Sequence, residues 1–286
     1  MNPFLMANNT PRTWLITGAD KGLGHSTAKA ALEQGDNVVV TVLAADGSHD
    51  LAAHYPDRLR SIHLDARDQG RCAEVAAQAA GAFGRIDVLV NNAGFGVMAV
   101  AEATPPEKYR AMFEVNLFGL VEMTRAVLPV MRRQRSGHII NLSSKAGFLG
   151  VTGFSLYCAS KFAVEGFSES VAAETRDLGI RVTIVEPGGF RSDFAGPSLV
   201  TAVNDDGDYA ATNQRISRYV GERHGKQESD PAKFGPAMCQ LVAAENPPLR
   251  LPLGKDCIEA LRTKLRTVAT EFDRWEHLSL STMADD

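Results

Sequence analysis

The chain has 286 residues, 44% hydrophobic and 22% charged, with a formal net charge of −4. This is the make-up of a globular protein of one or two domains, and it excludes the basic face that a nucleic-acid partner requires. No apolar stretch approaches the length that spans a bilayer, so no membrane partner is expected.

The opening Met-Asn-Pro-Phe-Leu-Met carries no charged n-region and does not read as a secretory signal, and either Met1 or Met6 can serve as the start. Four scattered cysteines form no Cys-x-x-Cys pair, which fits reduced thiols and a cytoplasmic location. Seven histidines show no metal-ligand spacing in the sequence, so no catalytic metal is expected.

Along the chain, short apolar runs predict strands at 14–17, 38–42, 59–64, 88–91, 137–142, 181–186 and 249–253. Helical patterns fill the gaps at about 23–34, 68–83, 106–114, 116–134, 156–178, 231–245 and 255–279. Most of the strand candidates are continuously apolar, as parallel strands buried on both faces are. The alternation of strand and helix predicts one doubly wound, Rossmann-type α/β domain over 1–286, with a seven-stranded parallel sheet and helices on both faces. Ligands of such sheets sit beyond the carboxyl ends of the strands.

The first strand runs into Thr17-Gly-Ala-Asp-Lys-Gly-Leu-Gly24, and a helix follows at once. Strand, glycine turn and helix make a pyrophosphate cradle, with Gly18, Gly22 and Gly24 allowing close backbone approach and the helix N-terminus offering free N–H groups. Further on, Tyr157 and Lys161 stand one helical turn apart, and Ser144 lies upstream of them. A lysine cation about 5 Å from the phenol, at an effective dielectric of about 20, favours the phenolate by about 3 kcal/mol, or about two pK units. That brings the tyrosine into range for general acid–base work.

Taken in order, Thr17-Gly-x-x-x-Gly-x-Gly24, Asn91-Asn92-Ala93-Gly94, Asn116 in Val-Asn-Leu-Phe-Gly119, Ser144 with Tyr157-x-x-x-Lys161, and Pro187-Gly188 with Ser192 resemble the short-chain dehydrogenase/reductase family, in its compact single-domain branch. The resemblance is dense over about 10–200. It implies the strand order 3-2-1-4-5-6-7 and an NAD(P)-dependent enzyme acting on an alcohol or a carbonyl. In such an enzyme Tyr157 is the general acid/base, Ser144 holds the substrate oxygen, Lys161 tunes the phenol and holds the nicotinamide ribose, and Asn116 holds a water that links Lys161 to solvent. Ser143 adjoins Ser144, and the thirteen-residue gap to Tyr157 favours Ser144. Asp65 falls where the family contacts adenine. Asn92, Ala93, Gly94, Leu23, Pro187, Gly188 and Ser192 fall where it lines the cofactor. Where NAD-preferring relatives have an acid this chain has Val42, and where many NADP-preferring relatives have an arginine it has Leu43. Lys21 in the glycine loop favours NADP(H) over NAD(H).

Segment 194–230 is expected to be a substrate lid, and 255–280 a helical C-terminal extension. An apolar pocket is expected from Phe95, Phe148, Leu149, Phe154, Phe190 and Phe194, with Phe190 equally suited to sheet packing. With no charged anchor in that set, a bulky uncharged ketone or alcohol is favoured. The layout around Tyr157 and the terminal helix is similar to retinol/17β-hydroxysteroid dehydrogenase-type relatives. The family resemblance further implies a homodimer or homotetramer paired through helices 116–134 and 156–178. The competing reading is a non-catalytic dinucleotide-sensing protein on the same fold, which would be expected to lack the tyrosine or the lysine.

Overall fold

Each apolar run becomes a strand that buries both of its faces. In β1 (Thr13–Ile16) all four residues are buried. Trp14 and Ile16 face one helical layer and Leu15 the other, the two-residue period of a pleated strand. The computed structural model describes residues 10–47, 49–192, 194, 196, 199–202, 207–223 and 225–284. Both candidate start methionines, and parts of the expected lid, lie outside the described residues.

After β1 come α1 (Gly22–Glu33), β2 (Asn37–Val42), β3 (Leu59–His63), α2 (Cys72–Phe83), β4 (Val88–Asn91), β5 (Gly96–Met98), α3 (Pro106–Phe113), α4 (Leu120–Gln134) and β6 (Gly137–Leu142). Then follow α5 (Ser155–Thr175), β7 (Ile180–Pro187), β8 (Leu199–Thr201), α6 (Ala210–Arg223), α7 (Phe234–Ala243), β9 (Arg250–Leu253) and α8 (Lys255–Leu280). The main sheet has seven strands in the order β3-β2-β1-β4-β6-β7-β9, and every pairing is parallel. Counted along the chain, this is the order 3-2-1-4-5-6-7 that the resemblance implies.

On one face α1 and α7 set Ala28, Leu32, Phe234 and Met238 against the sheet. On the other, α2, α4 and α5 contribute Val75, Met123, Val127 and Val171. A third apolar cluster lies beyond the strand ends and gathers Val97, Met112, Phe154, Tyr157 and Ile216. The two sheet layers fix the scaffold, and the third cluster builds the chemistry's surroundings.

Four details depart from the predicted elements. Several helices begin or end in a short 3-10 turn, so α5 stops at Thr175 and a turn over Arg176–Leu178 follows. The two helices predicted over 106–134 form one continuous run, joined by a π-helical turn over Glu114–Gly119 that contains Asn116. β5 and β8 form a separate two-stranded parallel sheet, Gly96 opposite Leu199 through Met98 opposite Thr201. Three residues are too few to show a period, and the partner strand is about a hundred residues away. Finally, α6 lies inside the segment expected to be a lid, where no helix is predicted because its charged outer face dilutes the apolar stripe.

Among the described residues, no helix is long and apolar enough to cross a membrane.

Candidate active site

The glycine turn is shaped by close backbone approach. Gly18 has φ of 62°, and a Cβ there would stand 2.8 Å from the Cα of Ala93. A Cβ on Gly24 would strike the Asn92 amide nitrogen and the Gly18 carbonyl. Gly22 also has φ of 62°, and its open side faces Ser192, whose Cβ would lie 3.9 Å from an added methyl. Only glycine takes up these positions without strain.

The second and third motifs lock onto the first. Asn92 donates its side-chain amide to the carbonyls of Thr17 (2.9 Å) and Gly18 (2.7 Å), and the Thr17 hydroxyl accepts the N–H groups of Asn92 and Ala93. Asn91 donates to Thr124 and Asn141, tying β4 to α4 and β6. Asn116 is fully buried. Its amide accepts from the Phe95 N–H and donates to the Phe95 carbonyl, each at 3.0 Å, and also reaches Ser160 at 3.3 Å. The side-chain amide therefore pins the Gly94–Phe95 turn, where the resemblance implies a hold on water.

Tyr157 and Lys161 are both buried on α5, with 5% of each exposed. Burial pushes the Tyr157 phenol well above its ordinary range, opposed by a side-chain hydrogen bond with Ser144. Burial of the phenol therefore opposes the acidification that helical spacing argues for. Lys161 Nζ donates to the Leu142 carbonyl at 2.7 Å. Lys161 is also no permanent cation, since burial brings its pKa down to about 8, while Glu165 one turn further along opposes this. Ser144 accepts the Ala146 N–H at 3.1 Å, which fixes its side chain at the start of a 3-10 turn. Ser143 is buried, and its hydroxyl lies with the Glu165 carboxyl against Gly147, which separates the two neighbouring serines.

A cavity of about 1240 Å³ joins these parts. All the sequence-predicted cofactor residues line it except Gly24, which packs behind the turn, and Asn116 likewise stands behind it. Of the predicted apolar pocket, Phe95, Leu149, Phe154, Phe190 and Phe194 line the cavity and Phe148 does not. Phe148 ends the 3-10 turn over Lys145–Gly147, which carries it off the wall. Phe190 serves both readings, since its ring also packs edge-on against Phe234 at 5.5 Å. Around the phenol, Phe194 lies 5.3 Å and Phe154 5.6 Å from the Tyr157 ring, and Tyr219 packs on Phe154 at 5.5 Å, all between centroids.

Several lining residues escaped the sequence reading. Asp20, inside the glycine loop, accepts the Leu43 N–H at 3.2 Å and ties that loop to the end of β2. Arg67 brackets Asp65 in an ion pair at 2.5 Å and holds its carboxyl below the usual range. Lys145, next to Ser144, pairs with Asp256 of α8 at 2.6 Å. α6 brings Arg215, Arg218 and Glu222 to the cavity, so the wall is not wholly uncharged as expected. His25, His49 and Asp50 also converge, with one ligand atom of each within 4.8 Å of the others. Both His49 ring nitrogens are hydrogen-bonded, to the Ala19 carbonyl and the Leu51 N–H, so the group clips the glycine loop.

The family model for short chain dehydrogenase matches residues 12–200. The chain belongs to the short-chain dehydrogenase/reductase family. It is 35% identical to Oxidoreductase BOA17 of Botryotinia fuckeliana, over 95% of this chain and 99% of that protein. It is 36% identical to a 3-ketodihydrosphingosine reductase of Bacteroides thetaiotaomicron, over 85% of this chain and 88% of that one. The structure of a short-chain dehydrogenase from Streptomyces avermitilis superposes with a TM-score of 0.89 at 38% identity, covering 97% of this chain and all of that one. As a family member, the chain is an oxidoreductase acting on alcohol or carbonyl groups with NAD(P).

Proposed function

We propose that the chain interconverts a bulky, uncharged, hydrophobic ketone or aldehyde and its alcohol, using NADP(H) in preference to NAD(H). The observation that carries this reading is the placement of Tyr157. Its phenol stands where the glycine-turn cleft meets the aromatic cluster of Phe154, Phe194 and Tyr219, in one cavity with Ser144 and one turn from Lys161. The charged groups of α6 are exposed at the rim, and the groups nearest the phenol are aromatic. This supports an apolar substrate.

The cleft fits a dinucleotide, because three glycines leave open the volume that side chains would fill and the N-terminus of α1 faces it. Gly18, Gly22 and the first turn of α1 would hold the pyrophosphate, Asp65 would flank the adenine, and Lys161 and Ser192 would hold the nicotinamide end. When bound, the cofactor supplies or accepts the hydride. The protein's part is proton management. Ser144 and Tyr157 donate hydrogen bonds to the substrate oxygen as negative charge grows there, and Tyr157 delivers its proton to it. Lys161, with a pKa of about 8, stabilises the phenolate left behind and restores its proton. In oxidation Tyr157 is the base.

The NADP(H) preference rests on Lys21, which lines the cleft, as do Leu43 and Arg67. Asp20 bonds the Leu43 backbone, so the acid nearest this end is already engaged. The segment 194–230 is the lid, 255–280 an extension, and the four buried thiols suit a reducing cytoplasm. Phe118 and Phe162 are exposed on the run 114–134 and on α5, which supports pairing of two or four chains through those helices.

The test is initial-rate oxidation of NADPH against NADH over a panel of bulky ketones. Tyr157→Phe is expected to lower kcat about 10²–10⁴-fold with cofactor affinity unchanged, and Lys21→Ala to weaken NADPH more than NADH. An NADH preference in the wild type would overturn the cofactor assignment. Cofactor binding with no turnover of any ketone or alcohol would favour a sensor.

A further inference from the structure

The terminal helix α8 begins as part of the body and ends as part of nothing. Cys257 and Leu261 are buried, and Ala260 lines the cavity. From Glu271 to Ala284 every residue is exposed. Phe272 is 72% and Trp275 53% exposed, and Leu265, Leu278 and Leu280 are also open. At about 1.5 Å per residue the helix is about 39 Å long. A helix owes most of its stability to burying one face, and a free end of this length is marginal by itself. Large rings in such a setting mark an interaction surface.

The pattern on that surface is regular. Ile258, Leu261, Leu265, Val268, Phe272 and Trp275 follow one another at steps of three and four, a heptad seam sustained over three repeats. The flanking charges divide along the helix. Arg262, Lys264 and Arg266 occupy the middle, and Glu271, Asp273 and Glu276 the outer part, with Arg274 among them. In a parallel pair of such helices, Glu271 of one chain would meet Glu276 of the other, a repulsive contact. In an antiparallel pair, Lys264 of each chain meets Glu271 of the other, Leu265 packs on Val268 at the centre and Ile258 on Trp275 at the ends, and Phe272 lies over the turn of Leu261, whose side chain its own body already covers. The e and g flanks of a coiled coil choose partner and orientation in this way. The three carboxylates beside the apolar stripe oppose docking on an anionic membrane surface, which selects basic flanks.

We propose that α8 is a self-association helix, which pairs antiparallel with α8 of a second copy of this chain. Phe and Trp rings bury about 150–250 Å² each, so the four rings of a two-fold pair contribute about 600–1,000 Å². With the leucines and valines of the seam, the total reaches the lower range of specific interfaces, about 1,200 Å². The inference goes beyond the proposed reaction and does not rest on it. It is also separate from pairing through the outer faces of α4 and α5.

The experiment is sedimentation velocity of the full chain at several concentrations. The wild type is expected to associate, and Phe272→Asp with Trp275→Asp to halve its mass with turnover intact. Lys264→Glu and Glu271→Lys are each expected to weaken association at least about tenfold, and together to restore it to within about threefold. Phe118→Asp with Phe162→Asp reports on the other surface and is expected to leave the α8 charge-swap effects in place. The proposal is overturned by a wild type that stays monomeric, by a mass unaffected by the aromatic pair, or by a double charge swap that does not restore association. Co-sedimentation with phosphatidylserine vesicles that depends on Phe272 and Trp275 would likewise overturn it in favour of a membrane surface.

Discussion

The two ends of the cavity are built by different means. The nucleotide end is backbone held by hydrogen bonds: Asn92 and Thr17 stitch two loops together, Asp20 ties a third, and glycines leave the space. The substrate end is a set of rings from four separate segments, namely Phe95, Phe154, Phe194 and Tyr219, in contact through apolar surface. Hydrogen-bonded loops tolerate little change, because a displaced donor leaves a buried group unpaired. Apolar walls tolerate more, because rings of similar size repack. One end suits a constant ligand, and the other suits divergence of substrate.

The sharpest test of this contrast is at Gly18. Gly18→Ala forces a side chain into a left-handed position and against Ala93. It is expected to cost about 3 kcal/mol, read as about a 100-fold loss of cofactor affinity by fluorescence titration. A variant that binds normally would show that the loop is pliable and would dissolve the comparison.

Behind the cavity, Arg250 pairs with Glu165 of α5 and approaches Glu186 of β7. Glu186 is fully buried with neither carboxylate oxygen hydrogen-bonded. Burial first, and the Glu165 carboxyl second, push its pKa up to about 7 against the opposing pull of Arg250. An acid whose folded pKa is raised contributes stability that is full below its unfolded value and is lost as pH rises through the folded one. Urea unfolding at about pH 5 and about pH 8 is therefore expected to show a wild-type loss of about 3 kcal/mol that Glu186→Gln escapes. Equal losses in the two proteins would mean that Arg250 neutralises the site in full.

The smallest effect is expected at the substrate end. Tyr219→Ala removes one ring from the cluster around Phe154. KM for a bulky ketone is expected to rise about tenfold, with cofactor affinity unchanged. A larger rise for small ketones than for bulky ones would place Tyr219 outside the substrate's reach.

Much of the nucleotide end was legible in the sequence because its constraints are local. A positive φ at Gly18 demands glycine at that one position, and the apolar runs of β1 and β2 announce strands buried on both faces. The departures that shape the cavity were matters of distance. The parallel pairing of β5 with β8, the placing of α6 along the cavity, and the meeting of Lys145 with Asp256 each join segments about a hundred residues apart. The state of the tyrosine also depends on the fold. Helical spacing puts Lys161 one turn from Tyr157, but only the fold decides that its amine bonds Leu142 and that the phenol is buried.

By itself, then, the sequence determined the doubly wound sheet, the glycine cradle and the Ser144–Tyr157–Lys161 group, because chain geometry and short-range spacing dictate them. The tertiary structure alone decided the protonation of the buried groups, the aromatic walls of the substrate end and the exposed seam of α8. Those properties depend on what surrounds a side chain after folding, and solvent exclusion and long-range packing are set by the whole chain at once.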